Sequence, residues 1–404
     1  MIIIFAALSE APRMILFEEA LEIIRTSAVP LRSEKLRFED CLGRVLAMDV
    51  FSDIDMPPFD KSAVDGYACR RNDLEMELKV LETIPAGKVP AKQIGPGECS
   101  KLMTGGMLPQ GADTVIMVED VEITGPDTIR FVAQKTASNF CTRAEDITLG
   151  EKVLDKGTLI RPQEIAILAS VGCVNPEVYK QPRIGIISTG DELVEPSDTP
   201  VLSQIRNSNA YQLLAQAKRA DCLATYFGIA SDNEEATLQI IQQAATENDI
   251  VILTGGISAG DFDFVPAVIQ QAGFDIKFRS MAVQPGKPVI FATRKNQYLV
   301  ALPGNPVSSF VQFELLVKHL IRLITGNTGQ EMQLKIPMGA DYIRKKTSRK
   351  AFFPVFLSDN GTAMPVEYHG SAHIHSYIYA QGIATIEIGE KEIRKGALVD
   401  VRLV

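Results

Sequence analysis

Apolar runs and helical periods alternate regularly along the middle of the chain, from residue 182 onwards. Each apolar run, such as "RIGIIS" or "DIVILT", is short and continuous, which is typical of a strand buried on both faces. Between these runs, apolar residues recur at helical spacing in residues 208–220, 233–248 and 264–273. This alternation predicts a parallel sheet with helices on both faces, a fold that binds ligands at the carboxyl ends of its strands.

The rest of the chain has other patterns. Residues 14–25 follow a helical period, and residues 40–52 are predicted to form a second helix that leads into an extended piece. Strand, turn and helix follow one another in residues 150–172. Alternating apolar and polar runs between turn signals predict a β-rich insert over residues 77–135 and a small β domain over residues 333–404. A chain of 404 residues with these changes of pattern is expected to have several domains.

Composition and charge exclude some functions. The net charge of −9 argues against a nucleic-acid-binding protein that acts through a general basic field. The six cysteines form no CxxC pair, so we expect neither a cysteine zinc site nor a disulfide framework, which suits a reducing cytoplasm. The apolar residues 1–13 are too short to span a membrane and have no basic segment before them, so we interpret them as a dispensable extension.

Four polar loops follow apolar runs of the α/β region: "STGDE" (188–192), "IASDNEE" (229–235), "TGGISAGDFD" (254–263) and "PGNP" (303–306). Glycine lets backbone N–H groups approach a phosphate, and a following helix N-terminus favours an anion. The first three loops also carry carboxylates, which would repel a bare phosphate unless a hard cation such as Mg²⁺ lies between them. Ordinary strand–helix loops are the alternative, since Asp, Gly and Ser are common there. Four such loops at one sheet edge favour a binding site.

Charged residues outside these loops extend the hypothesis. Lys287 in "QPGKP" is held in a rigid Pro-Gly frame and could bind an oxyanion, although a solvated turn lysine is an equal alternative. The glycine loop "KLMTGGMLPQGAD" contributes the hydroxyl of Thr104. A second set of carboxylates lies in the first half of the chain, and a solvated acidic surface is its alternative interpretation: Asp55, Asp60, Asp65, Glu145 and Asp146.

Three of the four histidines occur in "HGSAHIH" (369–375). His373 and His375 would face one side of a strand, and a zinc site is one interpretation. No cysteine or carboxylate cluster lies nearby in the sequence, which favours a polar loop around Ser371 instead. No GxSxG motif is present, so a Ser-His-Asp hydrolase is not supported.

Eight motifs occur in a fixed order: "FDKSAVDGYA", "LMTGGMLPQGADTVIMVED", "RAEDI", "STGDEL", "TGGISAGDFD", "PGKP", "LPGNPVSSF" and "HGSAHI". This ordered set resembles the molybdopterin molybdenumtransferase family, known as MoeA in bacteria and as the E-domain of gephyrin in animals. The resemblance covers nearly the whole chain from Met14. It implies that molybdenum from molybdate is inserted into adenylylated molybdopterin, with hydrolysis of the pyrophosphate link and release of AMP.

The resemblance also implies a multidomain α/β architecture. A parallel-sheet molybdopterin-binding domain is expected at residues 183–326, and a C-terminal β-barrel at 327–404. An inserted β-rich domain is expected at 54–142, within a helical linker domain built from residues 14–53 and 143–182. The family forms cytoplasmic homodimers whose active cleft lies between the α/β domain of one subunit and the inserted domain of the other. Contact with the adenylyltransferase of the same pathway is expected, and neither nucleic acid nor membrane is expected as a partner.

Specific residues match the family's functional positions. The resemblance implies catalytic roles for Asp65, Thr104, Asp146, Glu192, Asp232 and Asp263. Of these, Glu192 and Asp263 would also hold Mg²⁺. The implied cofactor-binding residues are Thr189, Gly190, Asp191, Gly255, Gly256, Ser258, Gly260, Lys287, Pro303, Gly304, Asn305, Pro306 and Ser371. Asp261 has no implied role, so its loss is expected to reduce activity far less than the loss of Asp263.

Three positions depart from the family pattern. Gln284 stands where lysine often precedes "PGKP", with Arg279 as its candidate replacement, Pro354 stands where arginine is common, and Asn207 stands where aspartate is common. These changes concern substrate affinity and leave the carboxylate set intact. Two other functions stay open: a molybdopterin adenylyltransferase, which shares the α/β domain, and a non-catalytic scaffold of the gephyrin type. The extra domains argue against the first, and the carboxylate set argues against the second.

Overall fold

A six-stranded sheet forms the middle of the chain in the computed structural model, which describes residues 13–257, 264–329, 333–368 and 370–404. Its strands lie in the spatial order Leu223–Ala230, Arg183–Thr189, Ile250–Thr254, Gln297–Leu302, Pro288–Arg294 and Asp275–Ser280. The first four strands are parallel, and the last two are each antiparallel to their neighbour. The predicted parallel sheet is confirmed, and an antiparallel extension widens one edge.

Helices pack on both faces of this sheet because successive side chains of a strand point to opposite sides. Ile186 packs in one buried cluster with Leu213, and the adjacent Ile187 packs in another with Ile241. Each such burial stabilises the fold by about 1.5–3 kcal/mol. The described helices are Phe17–Ser27, Pro162–Ser170, Asn209–Arg219, Glu234–Glu247, Val265–Gln271 and Pro306–Gln312, the last continuing through the π-helical turn Phe313–Val317 into Lys318–Ile324.

The helix predicted over residues 40–52 is wrong. Only Phe38–Asp40 forms a single 3₁₀ turn, and Gly43 then adopts a φ of +83°, which is incompatible with a right-handed helix. The N–H of Gly43 donates to the carbonyl of Ile160 (2.9 Å), and the N–H of Ile160 donates to the carbonyl of Arg44 (2.8 Å). The apolar residues that suggested a helix therefore pair in an extended form with a segment far away in the sequence.

The predicted β-rich insert is confirmed as a second six-stranded sheet. Its spatial order is Thr114–Met117, Gly66–Cys69, Glu98–Leu102, Glu77–Ile84, Thr128–Phe131 and Val121–Gly125. Tyr67 and Ala68, adjacent in one strand, belong to different buried clusters, so the sheet has apolar side chains on both faces. Short antiparallel pairs join the segments before and after it: Ser33–Lys35 with Glu177–Tyr179, Val50–Phe51 with Lys152–Leu154, and Lys61–Ser62 with Phe140–Cys141.

The predicted β structure over residues 333–404 is also confirmed. Its main sheet has the order Val283–Gln284, Lys350–Leu357, Gly382–Ile386, Leu398–Leu403 and Leu334–Pro337, with Ala363–Pro365 paired to Lys350–Leu357. The remaining short pairs are Tyr342–Ile343 with Glu392–Ile393 and Leu193–Val194 with Ile205–Arg206. His373 and His375 do not lie on a strand, because a 3₁₀ helix spans Ile374–Tyr379. None of the described helices is long and apolar enough to cross a membrane.

Candidate active site

The polar loops of the α/β region meet at one edge of the central sheet. Ser188 pairs with Thr254, and Thr254 pairs with Leu302, so three strands end at the same level. Immediately beyond, Gly255 has a φ of +102°, and a Cβ on it would overlap the carbonyl oxygen of Thr189 and lie 2.8 Å from its Oγ1. The two loops therefore touch backbone to backbone, which only glycine permits.

A buried hydroxyl lies at this junction of loops. Oγ1 of Thr189 is buried and has no hydrogen-bond partner among the described residues. A Cβ on Gly256, whose φ is +63°, would lie 2.9 Å from the same oxygen. Gly304 completes the junction, since its Cβ would lie 3.6 Å from Cα of Gly255. A buried hydroxyl without a partner is uncommon in a folded protein, and here it lies between glycine backbones at the junction of the loops.

Two aspartates at the ends of neighbouring strands are linked by reciprocal hydrogen bonds between backbone N–H groups and carboxylates. The N–H of Asp191 donates to Oδ2 of Asp232 at 3.4 Å, and the N–H of Asp232 donates to Oδ1 of Asp191 at 3.1 Å. Both residues are exposed. Glu192, also exposed, folds back over Gly190, where a Cβ would lie 2.7 Å from the carboxyl carbon. The structure thus places three predicted carboxylates in one acidic junction.

The donor set of this junction fits Mg²⁺ held jointly with a phosphate ligand. Exposed carboxylate oxygens such as those of Glu192 are the ligands that Mg²⁺ prefers, and in phosphate sites Mg²⁺ uses only one or two carboxylates. Across the described ranges, no group of three or more His, Cys, Asp or Glu could hold a metal ion. The described carboxylates alone therefore do not make a complete metal site.

Asn209 is a residue of this edge that the sequence reasoning missed. Its Nδ2 donates to Oγ1 of Thr254 (3.0 Å) and to the carbonyl of Gly304 (2.7 Å), so it links two of the polar loops. Its own Oδ1 is buried without a partner among the described residues. Its signal in the sequence is "RNSNA", a polar segment that leads into helix Asn209–Arg219 and also contains Asn207.

The "PGNP" loop carries the contact between the sheet edge and the C-terminal region. Nδ2 of Asn305 donates to Oγ of Ser371 (2.9 Å), and the N–H of Val307 donates to the carbonyl of Ser371 (3.0 Å). Pro306 is the first residue of helix Pro306–Gln312, a position at which proline's missing N–H costs nothing. The structure therefore joins the predicted residues Pro303 to Pro306 with Ser371, although they lie far apart in the sequence.

Lys287 lies in a loop that rests on the same helix. Nε2 of Gln312, which is fully buried, donates to the carbonyl of Pro285 (3.0 Å), and a Cβ on Gly286 would lie 2.6 Å from that nitrogen. Lys287 itself is exposed and has no ion pair within the described part of the chain. The proline-glycine frame thus presents an unneutralised ammonium group.

The second predicted site centres on Asp65 and Thr104. Oδ1 of Asp65 accepts hydrogen bonds from the N–H of Thr104 (2.6 Å) and from its hydroxyl (2.8 Å). The backbone bond first, and then the hydroxyl bond, hold the pKa of the Asp65 carboxyl below its ordinary value. Asp65 is therefore an ionised side chain with a fixed orientation, and it is a poor proton acceptor.

Arg143 organises the loops next to this pair. Its N–H donates to Oδ1 of Asp60 (2.8 Å), and its guanidinium donates to Oδ2 of Asp55 (2.7 Å). Two of the acidic residues that the sequence singled out therefore have structural partners. Asp146 remains exposed, and its N–H donates to the carbonyl of Met56 (3.0 Å), which fixes its backbone near the same loop.

Within the described residues of one chain, no hydrogen bond joins the Asp65 group to the sheet edge. The structure therefore assembles the predicted residues into two separate groups, one around Asp65 and one around Asp232. Ser258, Gly260, Asp261 and Asp263 lie outside the described residues.

The three residues that depart from the family pattern, Asn207, Pro354 and Gln284, lie in different structural settings. Asn207 is buried, accepts a hydrogen bond from Oγ of Ser188 (3.1 Å) and donates to the hydroxyl of Tyr226 (2.7 Å). An aspartate there would lose that donor, so the amide suits the phenol. Pro354 lies opposite Ile383 in the C-terminal sheet. Gln284 pairs with a strand of that same sheet, which brings the "PGKP" loop close to it.

Comparison with known proteins gives consistent similarities over nearly the whole chain. The family model "MoeA N-terminal region (domain I and II)" matches residues 15–172, "Probable molybdopterin binding domain" matches 185–323, and "MoeA C-terminal region (domain IV)" matches 338–404. The molybdopterin molybdenumtransferase of Staphylococcus aureus (strain MRSA252) is 31% identical over 397 residues, covering 96% of this chain and 94% of that protein. The protein of that name from Bacillus subtilis (strain 168) is 32% identical over 386 residues, covering 92% and 90%. The crystal structure of the molybdopterin biosynthesis MoeA protein from Pyrococcus horikoshii OT3 superposes with a TM-score of 0.84 at 30% identity, covering 97% of this chain and all of that one (100%).

Proposed function

This chain belongs to the MoeA family of molybdopterin molybdenumtransferases, enzymes of molybdenum cofactor biosynthesis, and from this premise we propose how it acts. Its reaction takes adenylylated molybdopterin and molybdate, transfers molybdenum to the pterin's dithiolene sulfurs, hydrolyses the pyrophosphate link and releases AMP. The observation that carries this proposal is the sheet edge where the Gly255 loop adjoins the Asp191–Asp232 junction. Backbone donors there suit a phosphate, and the carboxylates suit a cation that shields it.

We assign the substrate's phosphate end to the glycine junction. The N–H of Gly256 and the unpaired hydroxyl of Thr189 are assigned as donors there, since the N–H of Gly255 already donates to the carbonyl of Leu302 (3.2 Å). The cofactor-binding assignment extends to Gly190, Asp191, Ser258, Gly260, Pro303, Gly304, Asn305, Pro306 and Ser371. Lys287, as an unpaired ammonium in a fixed loop, is assigned to an oxyanion such as molybdate.

We assign the carboxylates to different tasks. Asp65 remains ionised because it accepts two hydrogen bonds from Thr104. We therefore assign its negative charge to orienting a bound group, and not to accepting the proton of the attacking water. Asp232, together with Asp146, is assigned to orienting that water or taking its proton. Mg²⁺, held by Glu192 and Asp263, would stabilise negative charge on the phosphate oxygens.

The quaternary and cellular settings are part of the same proposal. We propose a homodimer in which the Asp65 group of one subunit faces the sheet edge of the other, because the two groups are separate within one chain. The division into a linker domain, an insert, an α/β domain and a C-terminal barrel at the boundaries given above remains part of the proposal. All six cysteines are free thiols, which suits the cytoplasm, where the adenylyltransferase would supply the substrate.

The activity is tested with purified protein, adenylylated molybdopterin, molybdate and Mg²⁺. We expect release of AMP and formation of active cofactor, and a loss of about 10²-fold or more in the Asp65→Asn and Asp232→Asn variants. Asp359→Asn, which removes an exposed turn carboxylate, is the matched control and should retain full activity. Production of adenylylated molybdopterin from ATP would favour the adenylyltransferase. Unchanged cofactor production in both variants would favour a scaffold.

The shared cleft is tested by mixing subunits. Asp65→Asn and Asp232→Asn subunits are unfolded and refolded together, so that about half of the dimers contain one of each. A cleft between subunits gives every mixed dimer one intact site, and about a quarter of wild-type activity should return. A cleft built within one chain gives no intact site, so the absence of recovery would contradict the proposed arrangement.

A further inference from the structure

A cavity of about 390 Å³ lies away from the candidate active site, between the first half of the chain and the α/β region. One wall comes from residues 43–45, 159 and 179–182, and the other from residues 219–221 and 318–327. Val45, Leu159 and Ile321 give it apolar surface. Its volume lies within the range of small-molecule sites, about 300–1,000 Å³.

The lining is strongly cationic in a chain whose net charge is −9. It contains one carboxylate, Asp221, and five cationic residues: Arg44, Lys180, Arg219, Lys318 and Arg322. An excess of positive charge in a concave, partly apolar space raises the local concentration of anions.

Three of these cations already have a carboxylate partner. Arg44 donates to Oε1 of Glu34 (2.7 Å). Arg219 and Lys318 share the carboxylate of Glu314, which is completely buried in the π-helical turn. This shared pairing uses one negative charge for two positive ones, so the floor of the cavity keeps a net positive charge.

The other two cations have no carboxylate partner in the described chain. Neither Lys180 nor Arg322 takes part in an ion pair there, and Nε of Arg322 is buried without any hydrogen-bond acceptor. Within the described residues, neither the terminal guanidinium nitrogens of Arg322 nor Nζ of Lys180 donates a hydrogen bond, so these groups remain available to a ligand oxygen. Oδ1 of Asp221 accepts from Nε2 of Gln181 (2.7 Å), so the single lining carboxylate is engaged within the protein.

We propose that this cavity binds a small organic phosphomonoester, whose phosphate pairs with Arg322 and Lys180 and whose organic part contacts the apolar wall. A phosphomonoester carries nearly two negative charges at neutral pH, which matches the two unpaired cations, and guanidinium binds phosphate oxygens in a bidentate manner. Because the two walls come from different regions of the fold, the bound ligand fastens the first half of the chain to the α/β region.

The test is isothermal titration of the full-length protein with glycerol 3-phosphate, inorganic phosphate and AMP. We expect glycerol 3-phosphate to bind wild type, and Arg322→Gln to raise its Kd about tenfold or more, as the loss of a charged hydrogen bond predicts. Arg322→Lys, which keeps the charge, should recover part of the affinity. Lys88→Gln removes an exposed lysine elsewhere and should bind as wild type does.

Three results would overturn the proposal. One is the absence of binding by all three probes to wild type at millimolar concentration. The second is an equal Kd for wild type and Arg322→Gln with folding confirmed by circular dichroism. Binding that Asp232→Asn abolishes but Arg322→Gln leaves intact would place the phosphate at the candidate active site and would likewise refute the cavity site. The AMP-release assay is independent of these outcomes, so the two proposals fail separately.

Discussion

Gly255→Ala is the most direct perturbation of the loop junction at the sheet edge. Gly255 adopts a φ of +102°, and a Cβ there would overlap the carbonyl oxygen of Thr189. Alanine therefore carries two penalties, one from its backbone conformation and one from collision with fixed backbone. Gly228 separates them, because it has the same φ of +102° and no atom within 4 Å of its Cβ position.

The magnitudes follow from these two environments. A non-glycine residue held at such a positive φ costs about 1–3 kcal/mol, partly offset by about 0.4–1 kcal/mol from the stiffer unfolded chain. Gly228→Ala should therefore lower the free energy of unfolding by about 1–2 kcal/mol. Gly255→Ala should lose about 1–3 kcal/mol more, the usual cost of forcing extra volume into packed structure. A displacement of about 1 Å at this loop would reduce activity by about 10²-fold, because catalysis depends on fixed geometry.

Urea unfolding of both variants and AMP release under saturating substrate measure the two effects. Gly228→Ala should remain active at a temperature where it is folded, whereas Gly255→Ala should lose activity beyond its loss of stability. Equal destabilisation of the two variants would show that backbone conformation alone requires glycine at position 255. Full activity in a folded Gly255→Ala would refute the assignment of this junction to substrate binding.

Three further predictions concern single side chains. Thr104→Ala should raise the pKa of Asp65 toward its ordinary value of 3.8 without reaching it, because the hydrogen bond from the backbone N–H of residue 104 stays. An NMR titration of the Asp65 carboxyl carbon measures this pKa. An unchanged pKa would contradict the role of the Thr104 hydroxyl. The carboxylate of Asp65 stabilises the fold above pH 3.8 and loses that effect as the pH falls through its lower folded pKa, so the variant should lose less stability in acid than wild type does. Glu314→Gln removes a buried charge shared by two cations and should lower the free energy of unfolding in urea by about 3–5 kcal/mol. Glu22→Gln, on an exposed helix face, is the control and should cause no measurable change. Similar stability of the two variants would refute this prediction. Asn209→Asp replaces the amide donor with a carboxylate that faces the carbonyl of Gly304, so it should reduce AMP release more than Asn209→Ala does. A larger loss in Asn209→Ala would show that the amide only fills space.

The local sequence pattern is sufficient to predict a strand or helix where residues close in sequence determine it. The strand Ile250–Thr254 is apolar throughout and is buried on both faces, as a central strand must be. Asn233 caps helix Glu234–Glu247 by accepting from the N–H of Ala236, and asparagine before an acidic first turn is a common start of a helix. The same reasoning failed for residues 40–52, where the apolar spacing suits a helix but pairing with Ile160 is decisive. Hydrophobic periodicity indicates which residues are buried. It does not indicate which other segment of the chain packs against them.

The candidate site shows the same division. Alternation of strands and helices placed the polar loops at one sheet edge, because parallel strands share the direction of their carboxyl ends. The role of Asn209 could not be predicted from the sequence, because it depends on hydrogen bonds to Thr254 and Gly304. These two residues lie 45 and 95 residues away along the chain. The mutual bonds of Asp191 and Asp232 were equally invisible, since they depend on the register of two neighbouring strands.

By itself, the sequence determined the class of fold, the order of its regions, the family and the residue types that carry the chemistry. Those properties depend on composition, period and ordered motifs, which are all local along the chain. Only the tertiary structure decided that Thr104 fixes the charge of Asp65, that Ser371 contacts the "PGNP" loop and that unpaired cations line a second cavity. Each of these depends on distances between residues remote in sequence, and only the packing of the whole chain determines such distances.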